Sequence, residues 1–282
     1  MLNTDGGRML ITSTHNDVTL FKMGRSLGPL VPYWVHAFLV DDLLVDTGTI
    51  AARREFMDAM RGRTVRTIVN THHHEDHAGN NAALAATRAP AIYAHERAIP
   101  WIAAPGEMPL EPYQLVVWKR PDGSVALPVG DTVRTAHHCF DVLYTPGHSF
   151  DHISLYEPDK KWLFTGDLFC GRKIKYFRRD EDYTLLLSSL SRLAELEVET
   201  IFCGLLGAVR DGTKALRDKV AFMTRLRDEA LSLREKGLSP RAIARRLLGR
   251  EGAMYYITGG HYAKVNAARS ILDGGPVDAW PS

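Results

Sequence analysis

Little in this chain marks it for an unusual environment. Across 282 residues no apolar run reaches eighteen, so no transmembrane helix is expected. Cysteine is scarce: Cys139, Cys170 and Cys203 are odd in number and far apart, which argues against a disulfide framework and suits reduced thiols in a cytosol. Residues 1–8 lack the apolar core of a secretory signal, so cytoplasmic residence is the expectation. Charge is nearly balanced at a formal +2, which makes no broad electrostatic case for nucleic acid or for an anionic membrane. Internal repeats and low-complexity segments are absent. What remains, with 45% apolar and 24% charged side chains, is an ordinary globular composition long enough for one large domain or two modest ones.

Against this plain background one stretch stands out, Thr71-His72-His73-His74-Glu75-Asp76-His77. Imidazoles and a carboxylate spaced His-x-His-x-Asp-His are metal-ligand chemistry: neutral ring nitrogens suit zinc, iron and related ions, and a carboxylate adds hard oxygen. Residues 65–70 read as a short β-branched strand, so the cluster sits on a loop at a strand's carboxyl end. Two further motifs end strands in the same manner. Thr145-Pro146-Gly147-His148-Ser149 follows a strand at 142–144, and Phe164-Thr165-Gly166-Asp167 closes another at 162–165.

Short strands and helices alternate over the first two thirds. Strands are expected at 18–22, 34–40 and 43–45, with Asp41-Asp42 as a hairpin turn, and then at 92–94, 133–135, 153–156 and 200–203. Helical spacing runs through 50–60, 96–103 and 183–196. Residues 105–121 form a Pro-rich insertion carrying Tyr113 and Trp118, a candidate pocket wall as much as a packed surface excursion. From Gly212 the chain becomes almost wholly helical. One amphipathic helix spans 213–236, a second opens at Ser239-Pro240 and runs through Leu248, and a third covers 262–272. Residues 237–247 have a superficial helix-turn-helix look, but no second helix with base-reading polar residues follows, so a basic helix packed beside the main fold is expected.

Taken in order, and together with Val45-Asp46-Thr47-Gly48, these motifs resemble the metallo-β-lactamase-fold hydrolase superfamily from about Leu39 to Gly204. The resemblance implies an α+β fold, the αββα metallo-β-lactamase-type sandwich, here with a helical C-terminal extension: residues 1–212 as catalytic domain and 213–282 packed on the same domain. It places His72, His74 and His148 on one metal, Asp76 and His77 on a second, and Asp167 between the two. Zinc is the expected ion, one or two per chain, with iron or manganese as alternatives. Asp46 is a candidate to orient a ligand histidine through its second nitrogen, or else simply a turn residue. His73 and Glu75 alternate with the ligands and should point away, toward solvent or a supporting position. Arg178 and Arg179 follow Asp167 closely enough to reach a substrate, or to be a solvated basic loop.

One position departs from the superfamily pattern. Where the last strand should deliver a histidine, the sequence reads Cys203-Gly204-Leu205-Leu206-Gly207. Leucine cannot bind a metal, so the second site is left with Asp76, His77 and Asp167. A site completed by water, a single metal, or rescue by the late histidine His261 in Thr258-Gly259-Gly260-His261 are the three outcomes open. The His-x-His-x-Asp-His form with a late aspartate resembles the thioesterase and lactonase branches, of which hydroxyacylglutathione hydrolase is a type. The implied reaction is attack of a metal-bound hydroxide on a thioester, lactone or other ester carbonyl, with Asp76 also shuttling a proton. The partner is a small-molecule substrate, and a homo-oligomer is compatible. A mono-iron persulfide dioxygenase-like enzyme, or a catalytically impaired binding protein of the same fold, are the competing readings.

Overall fold

The computed structural model describes residues 9–26 and 31–280; residues 1–8, read above for a leader, lie outside them. Among the described residues the first sheet has seven strands in sequence order. These are β1 (Leu10–His15), β2 (Val18–Met23), β3 (Val35–Val40), β4 (Leu43–Val45), β5 (Thr67–Val69), β6 (Ala91–Ala94) and β7 (Leu127–Pro128). Pairing is antiparallel through β4 and parallel from β4 to β7. The second sheet comprises β8 (Thr132–Arg134), β9 (Cys139–Tyr144), β10 (Ile153–Glu157), β11 (Trp162–Gly166), β13 (Thr200–Cys203) and β14 (Gly207–Arg210). Its spatial order is β14-β13-β11-β10-β9-β8. A small ribbon pairs β12 (Phe177–Arg178) with β15 (Tyr262–Ala263).

Period-2 alternation sorts the apolar side chains into three layers. Phe38, Val40, Leu43, Val45, Leu155, Trp162, Phe164 and Phe202 point between the sheets. Their sequence neighbours point outward: Leu39 and Leu44 into a cluster with Phe56, and Leu163, Ile201 and Cys203 into a cluster with the later helices. Strands buried on both faces read as nearly continuous apolar runs, as these do. Helix α1 (Arg53–Ala59) covers the first sheet, together with α2 (Asn81–Arg88) and α3 (Ile99–Ala103). Helices α5 (Tyr183–Leu193), α6 (Gly212–Glu235), α7 (Pro240–Leu248) and α9 (Lys264–Asp273) cover the second. The short α4 (Pro112–Val117) and α8 (Ala253–Ile257) lie in the connecting segments. The result is the expected αββα sandwich.

Several local readings hold for identifiable reasons. Ser239 accepts a hydrogen bond from the Ala242 amide (3.3 Å) and Pro240 opens α7, the capping expected there. That helix packs through Ile243 and Ala244 onto α6 and α9, and keeps Arg241, Arg245 and Arg246 at its outer side. The last helix starts at Lys264 rather than 262, because Tyr262 and Ala263 are extended and paired with β12. Helix α2 has no counterpart in the sequence reading; Leu84 is its one large buried side chain, too little to set up a periodic signal.

Phe164 and Phe202 stack between the sheets at 4.6 Å, and both are fully buried. Phe164→Ala should lower unfolding stability by about 3–5 kcal/mol, the usual scale for a large buried ring, measured by urea denaturation. A loss below about 1 kcal/mol would mean that this layer collapses around the gap.

Candidate metal centre

The carboxyl ends of β4, β5, β9, β11 and β13 meet at one edge of the sandwich. Each releases a chemical residue there: Asp46, the His72–His77 run, His148, Asp167 and Gly204. His72, His74 and His148 offer nitrogens within 4.8 Å of one another, and so do the ligand atoms of Asp76, His77 and Asp167. All six residues are buried. The two trios share a border, with Asp167 Oδ1 lying 3.4 Å from His77 Nε2 and Oδ2 lying 4.0 Å from His148 Nε2.

Hydrogen bonds fix which nitrogen each ring presents. His77 Nδ1 donates to Asp46 Oδ2 (2.7 Å), and His148 Nδ1 donates to Glu181 Oε1 (2.7 Å). The Thr71 hydroxyl donates to Asp46 Oδ2 (2.9 Å), so toward His72 Nδ1 (3.0 Å) it can only accept. His72, His77 and His148 therefore turn their Nε2 atoms into the site. His72 Nε2, His77 Nε2 and Asp167 Oδ1 are buried without a hydrogen-bond partner among the described residues. His74 Nδ1 faces His148 Nε2 at 3.2 Å, close to the ~3.3 Å separating two nitrogens each ~2 Å from a tetrahedral ion. Orphaned acceptors at that spacing are what a divalent cation would satisfy.

The electrostatics of the first trio agree. Burial, and then the neighbouring imidazoles, hold the His72 pKa well below its ordinary value; burial and then the Arg178 guanidinium do the same to His74. Both rings are thus kept in the neutral, ligating form. Burial opposes charge on His77, but Asp46, Asp167 and Asp76 outweigh it and raise its pKa. Burial likewise works against ionised Asp167, yet His77 draws it down to about 2. Asp76 lacks that full compensation: burial pushes it up to about 7, against the pull of His77.

Gly204 explains part of the local sequence. A Cβ there would lie 2.4 Å from Asp167 Oδ1 and 2.9 Å from His77 Cε1, so the backbone passes where a side chain cannot. Its carbonyl accepts from the His36 amide (2.7 Å) and ring (2.9 Å), which ties the end of β13 to β3. Leu205, next along, is half-buried against the helical cluster and supplies nothing to the second trio.

His261 is not brought to either trio. Its Nδ1 bonds the Tyr113 hydroxyl (2.8 Å) and its Nε2 faces Asp180 (3.6 Å), so both ring nitrogens face partners other than the trio considered above. His73 and Glu75 do point away from the ligands, but into protein rather than solvent. The His73 ring bonds Asp151 (2.9 Å), and Glu75 accepts from Gln114 (2.8 Å). Arg178 is buried beside His74, forked onto Asp180 at 2.8 and 2.6 Å, whereas Arg179 pairs with Glu111 and Asp278 nearer the surface. Asp46 turns out to be both a turn residue, at φ 60°, and the orienter of a candidate ligand ring.

Thr71, Asp151, Glu181 and Gly204 escaped the sequence reading. Only Thr71, inside the motif, carried any local signal. A cavity of about 270 Å³ opens over the trios and is lined by Asp76, His148 and Asp167 together with Tyr33, Tyr113 and Trp118. The insertion at 105–121 is therefore a pocket wall.

The family model of the metallo-beta-lactamase superfamily matches residues 35–205, and this chain belongs to that superfamily. Among curated relatives, a hydroxyacylglutathione hydrolase of Thermosynechococcus vestitus is 35% identical over 149 residues, 50% of each chain. One of Gloeobacter violaceus is 31% identical over 224 residues, 74% of this chain and 80% of that protein. For several of these relatives the match spans about half of their length. A solved metallo-beta-lactamase family protein from Thermus thermophilus superposes with a TM-score of 0.65 at 22% identity, over 90% of this chain and 93% of that one. A beta-lactamase domain protein from Burkholderia ambifaria gives 0.67 at 19%, over 93% and 87%. These two share the fold.

The His73–Asp151 pair clamps the ligand loop to the segment after His148. Asp151 is fully buried, and it accepts from both the His73 amide (2.8 Å) and the His73 ring. Burial opposes its charge, but His73 lowers its pKa from 3.8 to about 2. A depressed carboxylate stabilises the fold above its unfolded pKa, and that contribution vanishes as pH falls through the folded value. Asp151→Asn should therefore lose on the order of 2 kcal/mol at pH 7, with the deficit shrinking as pH is lowered from about 4 toward about 2. Urea titrations across that range check it, and a deficit independent of pH would show that the charge is not responsible.

Proposed function

We propose that this protein is a metallohydrolase acting on a thioester, lactone or other ester carbonyl. The observation that carries the reading is the pair of ligand trios meeting at Asp167 on the floor of a cavity. In this reading His72, His74 and His148 hold one divalent ion, and Asp76, His77 and Asp167 hold a second. Zinc is the preferred ion for a nitrogen-rich first trio. Divalent ions bound there supply an acidified water and an electrophilic centre for the carbonyl oxygen. The chain's own residues do the rest. Asp46 and Glu181 hold their imidazoles in the ligating tautomer. Asp76, a carboxylate on the cavity floor, can accept a proton and pass it to the leaving group. Tyr33, Tyr113 and Trp118 enclose the substrate and limit water.

Relatives named hydroxyacylglutathione hydrolase support thioesters as the first candidate substrates. Retention of Asp76 and His77 beside the three histidines favours hydrolysis over mono-iron persulfide oxidation. Residues 213–282 are assigned as a helical extension packed on the catalytic domain, and three free thiols support a cytoplasmic assignment. A panel of thioesters, lactones and aryl esters, run with zinc-, iron- and manganese-loaded protein, tests the reading. Oxygen consumption with glutathione persulfide and no hydrolysis of any panel member would replace it with the dioxygenase alternative.

Leu205 leaves the second trio one protein ligand short, so the two sites should differ in affinity. Elemental analysis should find one tightly bound equivalent, rising toward two only with metal in excess. Two equally tight ions would mean that a further group completes the second trio.

Asp76→Asn keeps size and polarity while removing the carboxylate. Turnover should fall by about 10²-fold or more, with one metal equivalent and the unfolding midpoint retained. Full activity of this variant would remove Asp76 from the mechanism.

A further inference from the structure

Helix α6 buries the stripe Ala215, Leu216, Lys219, Met223 and Leu226, with helical spacing that calls for apolar residues throughout. Lys219 breaks the pattern, and it is only 3% exposed. Lysine is almost never this buried without a partner. Even so, no hydrogen bond or ion pair of Lys219 occurs among the described residues, and its charged neighbour Glu181 is already committed. Glu181 Oε1 takes the His148 ring at 2.7 Å, and Oε2 takes the Arg178 amide at 2.9 Å. The other neighbours are Cys170 and Cys203, whose thiols donate to the Asp167 and Phe169 carbonyls. Burial keeps both protonated, Cys203 with its pKa pushed up to about 12.

Lys219 lines the same cavity as Asp76, His148 and Asp167. Arg178, the other buried cation there, is neutralised by its fork onto Asp180, whereas Lys173 and Lys175 are exposed. Lys219 is thus, among the described residues, the buried cation of the cavity wall that makes no direct ion pair or hydrogen bond. Burial also pulls its pKa down, against the smaller opposing pull of Glu181. An unpaired buried charge is costly, and it is readily explained when a ligand brings the opposite charge.

We propose that Lys219 is a specificity-determining residue whose ammonium binds a carboxylate of the substrate, so that this enzyme acts on acyl compounds carrying a carboxylate beyond the scissile carbonyl. The proposal rests on the hydrolase reading above, and the unpaired ammonium in the shared cavity is its own support.

The test compares mono-4-nitrophenyl adipate with 4-nitrophenyl adipamate, which differ only in carboxylate against amide, using zinc-loaded wild type, Lys219→Met and Lys219→Arg. The wild type should prefer the carboxylate, and Lys219→Met should cut that preference in kcat/KM by about tenfold or more, mainly through KM, as for loss of one charge-assisted hydrogen bond. Lys219→Arg should recover part of it. Calorimetric titration with adipate, which needs no turnover, should show affinity weakened by a similar factor in Lys219→Met. The melting temperature of Lys219→Met should rise, since a methionine in this stripe removes a desolvated charge. Equal adipate affinity in wild type and Lys219→Met, or an unchanged substrate preference, would overturn the proposal. A lowered melting temperature with both substrates impaired alike would assign Lys219 a structural role. Wild type that binds adipate through Lys219 but cleaves neither of these esters nor any member of the thioester, lactone and aryl ester panel would keep the anchor and reject the hydrolase reading.

Discussion

The candidate metal centre depends on one buried carboxylate. Asp46 accepts from the Thr71 amide (2.7 Å), the Thr71 hydroxyl and the His77 ring, and so pins the start and the end of the His-x-His-x-Asp-His loop to the end of β4. Through Thr71 it also sets the tautomer of His72, so a single side chain orients rings in both trios. Around it Thr47, Asn70, Asn80 and Asn81 are all fully buried and bonded to one another. A network of this kind is stable only when nearly every member is satisfied. Satisfaction here stops at the nitrogens and the carboxylate oxygen that face the site.

The site thereby concentrates uncompensated electrostatics at one edge of an otherwise apolar sandwich. Three aromatic and aliphatic layers hold the sheets rigid, and the strand ends cannot relax away from one another. That rigidity lets Gly204 pass within contact distance of Asp167 and His77, and it lets Glu181, a residue of the helical side, brace His148 from behind. The helical segment after 212 is part of the same arrangement. It contributes Lys219 to the cavity wall, and through β15 it holds the strand that carries Arg178.

The candidate ligands were legible in the sequence because four of the six lie within six residues, and the other two follow strand-ending turns with their own local signatures, Pro146-Gly147 and Thr165-Gly166. Strand-rich segments separated by helices, with ligand-type residues at strand ends, fitted two sheets covered by helices, and the resemblance to the superfamily sharpened this to the αββα sandwich. Helix α2 was not legible, since alanines and asparagines around Leu84 make no stripe. His261 looked like a spare ligand because two glycines precede it; the fold engages it with Tyr113 and Asp180 instead. Asp151 and Glu181 gave no warning at all, being 78 and 33 residues from the histidines they hold.

The sequence by itself determined the candidate ligand types, their order along the chain and the alternation of strands with helices, because these follow from local spacing; the αββα arrangement followed from the resemblance. It also determined that Leu205 cannot ligate, a matter of side-chain chemistry alone. Only the tertiary structure decided which nitrogen each histidine presents, and that Lys219 and Arg178 are buried beside the trios. Those properties depend on distances between segments far apart in the chain, and such distances are set by how the layers pack rather than by any local pattern.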